Sequence, residues 1–174
     1  MTGYREISPY EIDRAAERIG KEWMLITAWD AEQGRANAMT ASWGCLGVLW
    51  NKCVAVCFIR PQRHTFGLAE REERLSLCFL GKGHRQALGL CGKESGRDGD
   101  KLAKAGLTVA DHDGVPVIGE SELILVCRKL YADDLRESAF VDPSLLAHYE
   151  QRDYHRMYIC EIEHAYLRET EERK

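Results

Sequence analysis

The chain has 174 residues, 45% of them apolar and 30% charged, with a formal net charge of −4 and a pI near 5.9. Basic and acidic residues are interspersed, which argues against nucleic acid or an anionic membrane as the main partner. No apolar run reaches signal-peptide or membrane-spanning length. The seven cysteines are odd in number and contain no C-x-x-C, so neither a disulfide framework nor a zinc ribbon is signalled. These features predict a reduced, cytoplasmic protein forming one domain over 1–174, with cysteines that are mostly small core residues.

Ser8, Pro9 and Glu11 predict a helix start, with Ser8 as N-cap and an apolar stripe running to Ile19. "EWMLITAWD", the turn residues "AEQGR" and "ANAMTASWG" read as a hairpin over 22–43. "NKCVAVCFIRP" is a further strand closed by Pro61. "RHTFGLAERE" predicts a short helix and "RLSLCFL" a strand. "HRQALGLCG" and "DGDKLAKAGL" predict helices on either side of a glycine-rich connector. "VPVIGESELILVCRKLYADDL" reads as one or two strands, "SLLAHYEQR" as a short helix and "RMYICEIEHAYLR" as a final strand. Strands that do not alternate with long helices predict a mainly antiparallel barrel with peripheral helices, not a doubly wound sheet.

Four segments carry candidate chemistry. Along "NAMTASWG", alternate side chains share a face: Asn37, Met39, Ala41 and Trp43 on one side, Thr40 and Ser42 on the other. Small residues there would let a flat ligand approach the backbone, and Gly44 and Gly47 permit a bulge or turn; the same composition also suits an edge strand with a core tryptophan. "RPQRHT" gathers Arg60, Arg63, His64 and Thr65 where a strand ends and a helix begins, a sensible phosphate pocket, although a solvated basic loop reads the same way. "CGKESGRDGDK" offers Ser95, Arg97, Asp98 and Lys101 on a glycine frame, as a closing loop or as a polar connector. His155 precedes an alternating strand, where it can face a cleft or serve the structure. The six histidines show no ligand spacing, so no metal site is predicted.

Taken in order, "NAMTASWG", "RPQRHT", "LGLCGKESGRDGDKLAKAGL" and "YHRMYICEI" resemble the flavin reductase-like, FMN-binding split-barrel family, and within it the flavoredoxin-type members. The resemblance covers roughly 22–165. It implies a split β-barrel, antiparallel and Greek-key-like, forming a homodimer that binds FMN noncovalently near the subunit interface. By the same resemblance, Asn37, Met39, Thr40, Ala41, Ser42 and Trp43 contact the isoalloxazine and ribityl side, Arg60, Arg63 and Thr65 the phosphate, Ser95, Arg97 and Lys101 close the pocket, and His155 approaches the flavin. The implied activity passes electrons through FMN N5, as an NAD(P)H:flavin reductase or as a flavoredoxin-like carrier with a small-molecule or protein donor and acceptor. A non-catalytic flavin or haem carrier is the alternative. Cys45 and Cys160 stand where the family has glycine, as small-for-small replacements or as thiols beside the flavin.

Overall fold

The computed structural model describes residues 3–169. Strand β1 (Tyr4–Ile7) leads into a 3-10 turn, Pro9–Glu11, capped as predicted. The Ser8 side chain accepts from the Tyr10 N–H at 3.4 Å, and the Glu11 carboxylate accepts from the Ser8 N–H at 2.8 Å. The predicted helix to Ile19 does not continue. Arg14 sits at φ 49°, in the left-handed region, and splits the segment into α1 (Ala15–Glu17) and a π-helical turn over Arg18–Glu22. The break assembles ion pairs that lie off helical spacing, Arg18 with Asp13 at 2.9 Å and Arg14 with Glu22 at 3.4 Å. Tertiary pairing has outweighed local propensity here.

β2 (Met24–Asp30) and β3 (Arg35–Ala41) form the predicted hairpin, with Met24 opposite Ala41 and Asp30 opposite Arg35. A second hairpin follows, of β4 (Gly44–Leu49) and β5 (Lys52–Ile59). The expected bulge or turn at Gly44 is instead a close crossing. A Cβ there would lie 2.6 Å from the Val56 carbonyl oxygen and 3.3 Å from Met24 Cε. The hairpin turns through Trp50 and Asn51, both at positive φ, as two-residue hairpin loops require. β4 was not read as a separate strand: four of its six residues are exposed, and the alternation of burial over Gly44–Gly47 does not continue through Val48 and Leu49.

α2 (His64–Arg71), β6 (Arg74–Phe79) and α3 (Arg85–Lys93) lie where predicted, but the next helix shrinks to α4 (Lys101–Lys104), started by the Asp100 carboxylate on the Leu102 and Ala103 N–H groups. A small hairpin, β7 (Val109–His112) and β8 (Val115–Ile118), precedes two long strands, β9 (Leu123–Asp134) and β10 (Arg156–Arg168). The main sheet runs β3-β2-β6-β9-β10-β5-β4, and β1 joins the outer half of β10. All its pairings are antiparallel. One face gathers Ile26, Met39, Cys57, Leu77, Leu125 and Tyr158 into a single core, drawn from strands spread across the whole sheet. The sheet must therefore curl, and β3 comes against β5 although no ladder joins them among the described residues. The other face packs on α3 and β8. The architecture is mainly β, an antiparallel sheet with flanking helices, in agreement with the sequence reading.

β9 and β10 form a hairpin that closes with Asp134 opposite Arg156, leaving 135–155 as a long excursion containing the 3-10 turn Pro143–Tyr149. This strap folds back toward the gap between β3 and β5.

Candidate functional site

Where β3 ends, Met39, Thr40, Ala41, Ser42 and Trp43 form one wall of a cleft of about 180 Å³. Phe58 and Arg60 from β5 and its end, and His155 at the start of β10, form the rest. β3 is a terminal strand of the sheet, so one row of its backbone groups has no strand partner. The Ser42 side chain is half-buried and its hydroxyl has no hydrogen bond among the described residues. Trp43, 43% exposed, packs against His155 at 5.1 Å and against His148 of the strap at 5.3 Å between ring centroids.

His155 is buried, and the loss of solvation, with the Arg60 guanidinium beside it, pushes its pKa down to about 4. It is neutral at pH 7. Its Nδ1 meets the Tyr149 hydroxyl at 2.9 Å. Arg60 pairs with the Asp153 carboxylate, donates to the His148 carbonyl at 2.9 Å and lies over the Tyr149 ring at 5.2 Å. Arg60 therefore pins the strap, a role the phosphate expectation did not include.

A second assembly adjoins the cleft through Thr40, whose hydroxyl donates to the Leu88 carbonyl of α3 at 2.5 Å. Asn37 and Thr65 are both buried, and Asn37 Nδ2 donates to Thr65 Oγ1 at 2.8 Å. Gly96 presses on this pair so closely that a Cβ would collide with Asn37 Oδ1 and lie 3.0 Å from His64 Cδ2. Arg35 adds a bond to the Gly96 carbonyl at 3.1 Å. His64 Nε2 meets Asp30 Oδ2 at 2.8 Å; burial would raise the Asp30 pKa, but His64 and the Gln33 N–H outweigh it and hold the carboxyl below its ordinary value. The first three predicted motifs are thus brought together.

The cations predicted for phosphate and closure are mostly engaged. Arg63 donates to the Gly92 carbonyl at 2.8 Å, and Lys101 to the carbonyls of Cys91 at 3.1 Å and Glu94 at 3.0 Å. Both satisfy orphan carbonyls at the end of α3, where a positive charge also suits the helix dipole. Lys101 is only 4% exposed, and burial pulls its pKa down to about 8. Ser95 caps its own turn by accepting from the Arg97 N–H at 3.2 Å. The Arg97 side chain is exposed and has no ion pair among the described residues. None of Asn37, Arg63, Thr65, Ser95, Arg97 and Lys101 lines the cleft itself. The N-cap of α2, Arg63, makes no side-chain cap, so the first N–H groups of that helix lack a capping side chain.

Neither replacement cysteine lines the cleft. Cys160 is buried in the core beside Cys57 and Cys127, all three as free thiols; Cys57 and Cys127 are held well above their ordinary pKa, Cys57 by hydrogen bonding with Cys160 and by burial, Cys127 by burial. Cys45 is exposed on β4. Phe58, His148 and Tyr149 belong to the site and were missed; Phe58 was legible only as one member of an alternating strand, and the strap residues carried no signal. Among the described residues, no helix is long and apolar enough to cross a membrane.

A family model described as flavin reductase like domain matches residues 16–174. No curated protein matches the chain. Among solved structures, the FMN-binding domain of a flavin reductases-like enzyme from Shewanella baltica superposes with a TM-score of 0.67 at 16% identity, over 95% of this chain and 77% of that one. Flavoredoxin from Methanosarcina acetivorans gives 0.65 at 23% identity, over 85% and 69%. An NADH:FAD oxidoreductase from Streptomyces globisporus gives 0.63 at 13% identity, over 85% and 75%. At these identities the likeness speaks to fold.

Proposed function

The chain belongs to the flavin reductase like domain family, and from that premise we propose that it is an FMN-dependent oxidoreductase, an NAD(P)H:flavin reductase or a flavoredoxin-like electron carrier. The observation that carries this reading is the slot itself: a small-residue strand edge facing a neutral imidazole, with an indole at its mouth. A flat heterocycle suits such a slot, because its edge carbonyls and ring nitrogens can bond the backbone of β3, the Ser42 hydroxyl and His155. The phosphate would meet the uncapped start of α2. There the turn carrying Arg97 packs against His64, and Arg97 would supply a cation that no carboxylate among the described residues claims. Arg63 and Lys101 would act from beneath, by holding the end of α3 in place.

When bound, FMN would supply the two-electron chemistry at N5. The chain's own residues would orient the ring, exclude water through Trp43 and the strap, and offer it the neutral His155 imidazole without exchanging a proton. A nicotinamide donor would have to enter past Trp43 and His148.

The cleft, about 180 Å³, falls short of the roughly 300–1,000 Å³ of ordinary ligand pockets. A second copy completing it accounts for the shortfall. The exposed side chains of Val48 and Leu49 on β4 and of Trp50 in the turn after it would give such a homodimer apolar contacts. The protein would act in the cytoplasm as one domain, with a small molecule or a protein as its redox partner.

The test is an absorbance titration with FMN followed by anaerobic NADH and NADPH. Bound-flavin bands that bleach with nicotinamide support the reductase, and bands that stay oxidised support a carrier fed by another protein. Absence of both binding and turnover at micromolar FMN would reject the reading.

A further inference from the structure

Resting on that reading of the cleft, we propose that Tyr149 sets the tautomer of His155, so that the ring meets the cleft as a neutral Nε2–H donor. The argument begins with the phenol. Tyr149 is buried, and its hydroxyl has one partner among the described residues, His155 Nδ1 at 2.9 Å. Two arrangements satisfy that distance. If Nδ1 carried the hydrogen, it would donate to the phenol oxygen, and the phenol's own hydrogen would be left buried with nothing to accept it. An unmet buried donor costs about 1–3 kcal/mol. If the phenol donates to a bare Nδ1, both groups are satisfied and the ring hydrogen belongs on Nε2.

Nε2 has no partner among the described residues, yet it is not among the enclosed, unsatisfied atoms. The atom therefore keeps accessible surface, and the ring it belongs to lines the cleft. Neutrality has its own cause. Burial and the Arg60 guanidinium both disfavour an imidazolium, against a smaller opposing pull from Asp153, which Arg60 already pairs. Two further polar side chains lie nearby: His148, reached through Trp43, and Tyr154, tilted at 31° against Tyr149 with 5.0 Å between ring centroids.

The phenol is held in place for this task. Phe140 packs on it at 5.7 Å between centroids, Arg60 covers its face, and its ring meets the imidazole at 85°. Tyr149 is therefore a positioning residue, delivered by the strap and clamped by Arg60. The ligand group that fits the exposed N–H is an oxygen bearing partial negative charge on a planar molecule, such as a ring carbonyl. His155 donates to it and keeps its proton.

The experiment is ¹⁵N NMR of the histidine ring nitrogens in the flavin-free protein at pH 7, with His155 assigned by loss of its signals in His155→Gln. The expected pattern is a protonated Nε2 and an unprotonated Nδ1, unchanged down to pH 5. In Tyr149→Phe the pattern is expected to become a mixture, with the Nδ1–H form rising at least tenfold. A wild-type Nδ1–H tautomer, an imidazolium at pH 7, or a pattern indifferent to Tyr149→Phe would each overturn the proposal. Should Tyr149→Phe not fold, the wild-type spectrum decides. The measurement needs no flavin, so a failure to bind FMN would reject the reading of the cleft and leave the tautomer standing.

Discussion

Substituting Gly96 by alanine tests the packing that docks the loop after α3 onto β3. The added Cβ would occupy the space of Asn37 Oδ1, so the amide must swing away and lose Thr65. Both partners are buried, and separating them costs about 1–3 kcal/mol. The loss of unfolded-state freedom returns roughly 0.4–1 kcal/mol. The net is a destabilisation centred on roughly 1.3 kcal/mol, which for a chain of this size lowers the Tm by roughly 3–5 °C. Thermal unfolding followed by circular dichroism reads it directly. The decisive control is the same substitution in an Asn37→Ala background, where the space is free and the remaining neighbour is His64 Cδ2 at 3.0 Å. There Gly96→Ala should keep only the roughly 0.4–1 kcal/mol returned by the unfolded chain, so the double-mutant cycle should give a coupling energy of about 1–3 kcal/mol. Additive effects, or a single variant melting within about 1 °C of wild type, would refute the claim that Asn37 is what Gly96 makes room for.

His155 is depressed from 6.5 to about 4, so the unfolded chain binds the extra proton first as pH falls; its contribution, roughly 3 kcal/mol, is full above pH 6.5 and gone below 4. Urea unfolding of wild type against His155→Gln across that window checks it. Lys101 is depressed from 10.5 to about 8, so between those values the folded state has already shed a proton that the unfolded chain keeps. Relative to Lys101→Met, the wild type should gain up to roughly 3 kcal/mol as pH rises from 8 to 10.5. Asp153→Asn removes the charge that Arg60 pairs, and amide exchange over 140–153 should quicken about tenfold, the equivalent of ~1.4 kcal/mol, while β6 and β9 amides stay unchanged. Trp50→Gly relieves a left-handed tryptophan, so a monomer gains about 1 kcal/mol; analytical ultracentrifugation should show weaker self-association if β4 forms the dimer face.

How much of this was legible depended on whether a segment's own residues decide its fate. The strand over Arg156–Arg168 was readable because apolar and charged residues alternate over Cys160–Glu163, where burial alternates with them. The capping box at Ser8 was readable too, since cap and partner lie three residues apart. The helix beyond it was not, because Arg14 answers to Glu22 and Arg18 to Asp13 through turns that no local rule supplies. In the site, the edge from Thr40 to Trp43 stood out by its composition, but only the family resemblance tied it to a ligand. Arg60 and Lys101 were found as cations, but their partners are carbonyls and a carboxylate brought from the strap and from α3. Sequence shows that a charge is present; only the fold shows what has already claimed it.

β10 has β9 along one side and both β5 and β1 along the other. During synthesis this arrangement imposes a waiting period. Until residues 156–168 leave the ribosome, β5 and β9 have no neighbour between them, and β1 has nothing to pair with across a separation in which Tyr4 faces Arg168. Contacts that distant close slowly. The growing chain must therefore carry a bare edge on β5 from residue 59 until β10 emerges, a period when a chaperone would guard it best.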